Sequence, residues 1–239
     1  MEQSRINTLE RLAIQRLELA FKYLEDKKVN EELRKAINEE AEIPGFEEKP
    51  MKFGQFVNKE FVAMMTDIRK STDIINGPNG TKNMFLIFYA YSAVTANIVD
   101  FFGGTSTEFL GDGVINLFDT TNGLQDTLRS SLLASKEILE AKSIILNPLF
   151  EKYDLPKIDL GIGIDHGITI VTRFGHKTDN DLKAFGGCVY NVAKLSKGVN
   201  EIIVSEKSNL AWPSSENGTL MFNQTLLKDG FIGYKTQNR

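Results

Sequence analysis

Hydrophobic positions near the start of the chain recur at helical spacing. Between Ile6 and Leu24, the residues Leu9, Ala13, Leu17, Phe21 and Leu24 lie three or four apart, and Val29, Leu33 and Ile37 repeat that spacing in a shorter segment. Such a pattern lays one apolar stripe along a helix. The stretch Glu42-Ile-Pro-Gly-Phe-Glu-Glu-Lys-Pro50 then combines two prolines, a glycine and acidic residues, which mark a linker. The chain therefore divides near residue 50, with residues 1–50 forming a helical arm and linker and residues 51–239 forming the main domain. An arm of this kind packs on the core or on a partner subunit.

Past the linker the period changes. Glu60 to Asp67 is a nearly continuous apolar run, as in a strand buried on both faces, and Ser71-Thr72-Asp73 offers helix-starting caps. A helix is expected from Lys82 to Phe102. Thr105 to Leu110 and Val114 to Phe118 are short strands flanking Gly111-Asp112-Gly113, a tight hairpin whose glycines can take positive φ. A helix from about Leu124 to Leu146 should stop at Asn147-Pro148. Ile158 to Ile164 alternates as a strand does, and Ile168 to Phe174 is expected as its hairpin partner. A polar loop from Gly175 to Asp181, a helix from about Val189 to Lys197 and a strand from Glu201 to Ser205 complete the pattern. This order predicts an α+β sandwich: a central, mostly antiparallel sheet with flanking helices, preceded by the helical arm.

Composition narrows the functional classes. The 239 residues are 41% hydrophobic and 25% charged, enough for one sizeable core. A net charge of -4 argues against nucleic acid as a partner, because duplex binding needs a concentrated basic face. One cysteine, Cys188, and two histidines exclude a disulfide framework and disfavour a Cys/His zinc site. The charged N-terminus lacks the apolar core of a signal peptide. The richest apolar stretch, Met84 to Phe102, is interrupted by Ser92, Thr95, Asn97 and Asp100, short of the roughly 18 consecutive apolar residues of a membrane span. A cytoplasmic protein with no membrane partner is expected.

Two carboxylates stand out by position. Asp67 ends an apolar strand and Asp112 sits at the tip of a glycine-flanked hairpin. Brought together, two carboxylates repel unless a cation lies between them, so the pair reads as a divalent-metal site. Taken singly, Asp67 also suits a helix cap and Asp112 a turn. His166 has no partner at ligand spacing and reads as a hairpin or core histidine. The aromatic run Phe85, Phe88, Tyr89 and Tyr91 reads as core.

Four segments carry a family resemblance. Phe61-Val-Ala-Met-Met-Thr-Asp-Ile-Arg-Lys-Ser-Thr72 resembles the first strand and phosphate-binding turn of class III adenylate and guanylate cyclases. Phe109-Leu-Gly-Asp-Gly-Val-Ile-Asn-Leu-Phe118 resembles their second metal-binding hairpin. Leu160-Gly-Ile-Gly-Ile-Asp-His-Gly167 is similar to a glycine-bearing strand of that family, and Phe185-Gly-Gly-Cys-Val-Tyr-Asn-Val-Ala-Lys-Leu195 to the helix bearing its transition-state residues. The motifs keep the family's order over about residues 57 to 205. The resemblance implies cyclisation of a nucleoside triphosphate to a 3′,5′-cyclic monophosphate with release of pyrophosphate. It implies two divalent cations, Mn²⁺ or Mg²⁺, held by Asp67, Asp112 and the Ile68 carbonyl, and a triphosphate cradled by the Arg69, Lys70, Ser71 and Thr72 turn. It also implies a homodimer with composite sites, and a separate effector protein that reads the product.

The last helix departs from the family pattern, which has Asn four residues after a glycine and Arg four residues later. Counting from Gly186 puts Tyr190 and Lys194 at those positions; counting from Gly187 puts Asn191 and Leu195 there. The first register keeps a cation for the charge that develops on phosphate and is preferred; Asn191 then becomes a less central member of the site. Base choice rests on finer features. Glu108 stands where adenylate cyclases carry Lys and guanylate cyclases often carry Glu. The Asp179-Asn-Asp-Leu182 segment and the Ala193-Lys-Leu195 ending resemble the bacterial pyrimidine cyclases of the Pycsar antiphage system. UTP, then CTP, is the substrate this implies, with Met65, Glu108, Asp179, Asp181 and Lys183 around the base; a purine is the alternative, and a catalytically silent nucleotide-binding domain of the same fold is the rival reading.

Overall fold

The run from Phe61 to Ile68 becomes the centre of the sheet because both of its faces are buried. In the computed structural model, which describes residues 1–25, 55–176, 179–213, 219–227 and 230–238, this run is the inner part of β1 (Phe56–Arg69). Val62, Met64 and Ile68 point into the main core, while Phe61, Ala63 and Met65 point into a second, smaller one. The alternation that splits them is the two-residue period of a strand.

The remaining strands arrange themselves about β1. It pairs antiparallel with β3 (Gly113–Asp119) on one side and β4 (Asp159–His176) on the other. β2 (Gly104–Leu110) joins β3 through the hairpin, and β5 (Asp179–Phe185) pairs with the distal half of β4. The proximal half of β4 pairs parallel with β6 (Glu201–Val204), which leads to β8 (Ile232–Asn238) and β7 (Leu220–Leu226). Among the described residues this makes an eight-stranded sheet in which β4–β6 is the parallel pair. The expected mostly antiparallel α+β sandwich is the observed fold.

Helices cover the main core. Helix α1 (Gln3–Glu25) buries Leu9, Ala13, Leu17 and Ala20 completely. Its Arg5 stacks over Phe101, 3.7 Å from the ring centroid, and pairs with Glu137. The first helix of the arm is therefore part of the domain's core. The second arm segment and the linker, with the boundary near residue 50, lie outside the described residues. A short α2 (Ser71–Asn76) precedes α3 (Gly80–Phe101); α3 is long and apolar enough to cross a membrane, yet it lines the core with Leu86, Ile87, Tyr91, Val94 and Ile98.

Two sequence expectations are corrected. The helix expected to stop at Asn147-Pro148 runs as α4 (Leu124–Ala141), passes through a π turn (Lys142–Leu146) and continues as α5 (Asn147–Lys152). Pro148 lies in the first turn of that last segment, where a missing N–H costs little. The Asn147 side chain meanwhile exchanges two hydrogen bonds with the Ile158 backbone, at 3.0 and 2.8 Å. Likewise, Ile158–Ile164 and Ile168–Phe174 are not a hairpin. Asp159–His176 is one strand, β4, and its hairpin partner is β5, whose first residues, Asp179 to Asp181, were expected in a polar loop. A change of neighbour, from β6 to β5, replaces the expected change of direction. On the face opposite the main core lies α6 (Gly187–Leu195), and α7 (Glu206–Ala211) follows β6.

Candidate active site

Register alone brings the two carboxylates together. Asp67 is paired with Gly113 across β1 and β3, so the preceding residue, Asp112, sits at the hairpin tip beside the end of β1. The Ile68 N–H donates to the Asp112 carbonyl at 3.2 Å and fastens the tip to the strand. Gly113 leaves little room: a Cβ would displace the Met65 methyl and stand 3.3 Å from the Thr66 carbonyl. The Asp67 side chain is buried, with 4% of the residue exposed. Burial pushes its carboxyl above the usual range; Asp112 adds to that shift, while Lys197 and Arg69 oppose it.

Both carboxylates have polar partners. Asp67 Oδ2 accepts from the Arg69 guanidinium and, at 3.3 Å, from the Lys197 ammonium. Asp112 Oδ2 accepts from the Ser71 hydroxyl. Between β1 and α2, Lys70 adopts the left-handed conformation, φ 58°, which a non-glycine residue rarely takes and which makes the turn tight. Thr72 is exposed on α2. Arg69 Nε is buried with no hydrogen-bond partner. Among the described residues no group of three or more His, Cys, Asp and Glu side chains forms a metal cage. Two carboxylates on hard-oxygen geometry fit cations that draw their other ligands from backbone, water and phosphate.

The residues expected around a base come together in part. Glu108, Ile115 and Met65 align across β2, β3 and β1 and share one face. Glu108 is buried and fully engaged: Oε1 accepts from the Ala184 N–H at 2.6 Å and Oε2 from Lys183 at 3.1 Å. It thereby ties β2 to β5 over the second core. In β5, Asp181 and Asp179 pair with Phe174 and His176 of β4, and the side chains of the two aspartates lie outside the described residues.

The helix α6 residues separate into two groups. Tyr190 is 65% exposed, and Lys194 lies over its ring at 4.6 Å and near the Phe231 ring at 5.2 Å. Among the described residues no hydrogen bond or ion pair joins either one to Asp67 or Asp112. Asn191 turns inward, and its amide donates to Asp165 Oδ2 at 2.9 Å. Asp165 is fully buried and also accepts from Ser205 and, at 3.4 Å, from Ser208. Asn191 is thus part of a network that seats α6 on β4. His166 Nδ1 contacts Ser208 at 3.0 Å, consistent with a core role.

Sequence reasoning missed Lys197 and Asp165. A signal for the first existed: Gly161 and Gly163 alternate on one face of a strand, which marks close approach of another backbone. For the second, the signal was a charged residue within an otherwise apolar strand.

No protein-family model matches the chain. An adenylate cyclase of Anabaena cylindrica is 25% identical over 169 residues, covering 68% of this chain and 33% of that protein. The chain thus spans about a third of the length of this curated relative. The crystal structure of the adenylyl cyclase CyaB from P. aeruginosa superposes with a TM-score of 0.64 at 18% identity, covering 77% of this chain and 97% of that one. The guanylate cyclase domain of RhGC from Catenaria anguillulae, solved in complex with GTP, gives 0.62 at 15% identity, covering 77% and 99%. The fold is that of a class III cyclase catalytic domain. In that fold the corner formed by Asp67 and Asp112 is the place where β1 and the β2–β3 hairpin end together.

Proposed function

We propose that this protein is a metal-dependent nucleotidyl cyclase whose substrate is a pyrimidine triphosphate, UTP before CTP. The observation that carries the cyclase reading is the pairing of Asp67 and Asp112 by strand register, next to a tight turn rich in cations and hydroxyls. Divalent cations, Mn²⁺ or Mg²⁺, held by the two carboxylates with the Ile68 carbonyl assisting, would supply the charge that activates a ribose 3′-hydroxyl and neutralises the triphosphate. In the reaction the 3′ oxygen bonds to the α-phosphorus, the bond to the β-phosphate oxygen breaks, and the hydroxyl proton is lost. Arg69, Lys70, Ser71 and Thr72 face the phosphates from the turn, and the buried, unpartnered Arg69 Nε is a donor that an anion there can satisfy.

Tyr190 and Lys194 serve the site of a second subunit. Supporting this, Tyr190 is exposed, and Ile168, Ile170, Phe174, Phe185 and Phe56 are exposed on one side of the β4–β5 extension. Such a face suits a homodimer interface. Lys194, ordered by two aromatic rings, presents its charge to the transition state of the partner's substrate.

The pyrimidine preference rests on the sequence resemblance. Lys183, half-exposed beside Glu108, is the donor for a base carbonyl. Production of a second messenger in a bacterial antiphage pathway, in the cytoplasm and read by a separate effector, follows from that same resemblance. Incubation with each of ATP, GTP, CTP and UTP plus Mn²⁺, with products identified by mass spectrometry, tests the proposal. Cyclic UMP, then cyclic CMP, with pyrophosphate is expected. A purine product would overturn the base choice alone, and no cyclic product from any of the four would overturn the activity.

A further inference from the structure

Lys197 reaches the carboxylate corner by a route the α6 pattern does not describe. Gly161 lies opposite Asp67 in the β1–β4 pairing. A Cβ on Gly161 would collide with the Ser196 and Gly198 carbonyls, and one on Gly163 with the Val192 carbonyl and Leu195. Because both are glycine, the end of α6 and the residues after it lie directly on β4. The loop is also pinned at its far end. The Asn200 N–H donates to the Leu160 carbonyl at 2.6 Å, and Asn200 Oδ1 accepts from the Leu160 N–H at 3.2 Å and from the buried Lys142 at 2.9 Å. A fixed backbone thus delivers a flexible side chain, whose ammonium sits 3.3 Å from Asp67 Oδ2.

Two cations share that oxygen, and they differ in freedom. The Arg69 side chain is 21% exposed, whereas that of Lys197 is 49% exposed. A lysine stem carries three rotatable donors and moves without its backbone. A divalent cation bound at Asp67 repels an ammonium on the same oxygen, and the triphosphate arriving with it offers new anionic oxygens nearby.

We infer that Lys197 is a phosphate-binding residue of its own subunit's site, held on Asp67 until metal and nucleotide enter and then transferred to the triphosphate. This rests on reading Asp67 as a metal ligand. Lys197 therefore competes with the metal for Asp67 when no nucleotide is present and assists binding when the triphosphate is present.

The opposite signs give the test, with binding measured by calorimetry on the full chain. Against the parent protein, Lys197→Met should bind Mn²⁺ alone several-fold more tightly. The same variant should bind the manganese complex of inorganic triphosphate about tenfold or more weakly, the scale of one lost charge-assisted hydrogen bond. Lys197→Arg should recover most of the triphosphate affinity. Mn²⁺ binding that is lost in Asp67→Ala, yet moves in one direction for both ligands or does not move at all in Lys197→Met, would overturn the inference and leave the metal site standing. Absence of Mn²⁺ binding sensitive to Asp67 would overturn the metal site and the inference together.

Discussion

The two halves of the candidate site are built in different ways. Asp67 and Asp112 are placed by backbone register within one chain, buried or half-buried, and already bonded to Arg69, Lys197 and Ser71. Tyr190 and Lys194 ride on a helix whose inner face is spent on seating it, through Cys188, Val192, Leu195 and the Asn191–Asp165 bond, while their own side chains face outward. The carboxylate half is assembled within one chain; the Tyr190 and Lys194 half faces outward. On the proposed reading, folding places the first half and association brings the second to it.

The strongest way to break this contrast is to remove the carboxylates. Asp67→Ala and Asp112→Ala should each lower cyclisation by a hundredfold or more, about the loss of a preorganised electrostatic group, with the circular dichroism spectrum unchanged. Retention of a tenth of the activity would refute their assignment as metal ligands.

Association is tested next. Ile170→Asp combined with Phe185→Asp, two cross-strand neighbours on the exposed face, should give monomers by analytical ultracentrifugation. Those monomers should bind Mn²⁺ normally and turn over at a few per cent of the parent rate at most. A fully active monomer would show that α6 serves its own subunit.

A smaller effect is expected at the second core. Glu108→Lys places a cation beside Lys183 and removes the acceptor of the Ala184 N–H. It should lower the thermal midpoint and weaken base discrimination, while Mn²⁺ affinity stays near that of the parent. Glu108→Gln, which retains an acceptor, should keep more of the stability. An unchanged midpoint in Glu108→Lys would show that the β2–β5 tie contributes little.

The smallest effect concerns acid stability. Burial, and then the Lys207 charge, holds the His166 imidazole below its ordinary value of 6.5, with Asp165 and Glu60 opposing. A depressed histidine binds fewer protons folded than unfolded, so its contribution is present above the unfolded value and is lost as pH falls toward the folded one. Thermal midpoints followed from about pH 8 to about pH 5, the range in which histidine titrates, should therefore fall more for the parent than for His166→Gln. Equal slopes would contradict the shift.

What could be read from the chain beforehand follows the same division. The apolar run of β1, the Gly111-Asp112-Gly113 tip and the stripe of α1 are local patterns, and each became the expected element. β4 reads as a hairpin because Asp165-His166-Gly167, between its two alternating runs, has the composition of a turn, whereas the strand runs through it and changes partner from β6 to β5. At the site, Asp67 and Asp112 could be paired by motif, whereas Lys197 depends on a non-local approach over Gly161 that no helical count from Gly186 reveals. Glu108 was legible as a special residue, but its bond to the β5 backbone required knowing that β5 is a strand.

Mixing two inactive variants probes the division of labour most directly. A heterodimer of Asp67→Ala with Lys194→Ala contains one site with intact carboxylates from one chain and an intact lysine from the other. Random exchange at equal concentrations puts half of the chains' pairings into heterodimers, each with one working site of two, so activity should return to about a quarter of the parent's. Activity that stays at the level of the separate variants, with exchange confirmed by differently tagged chains, would contradict a site shared between subunits.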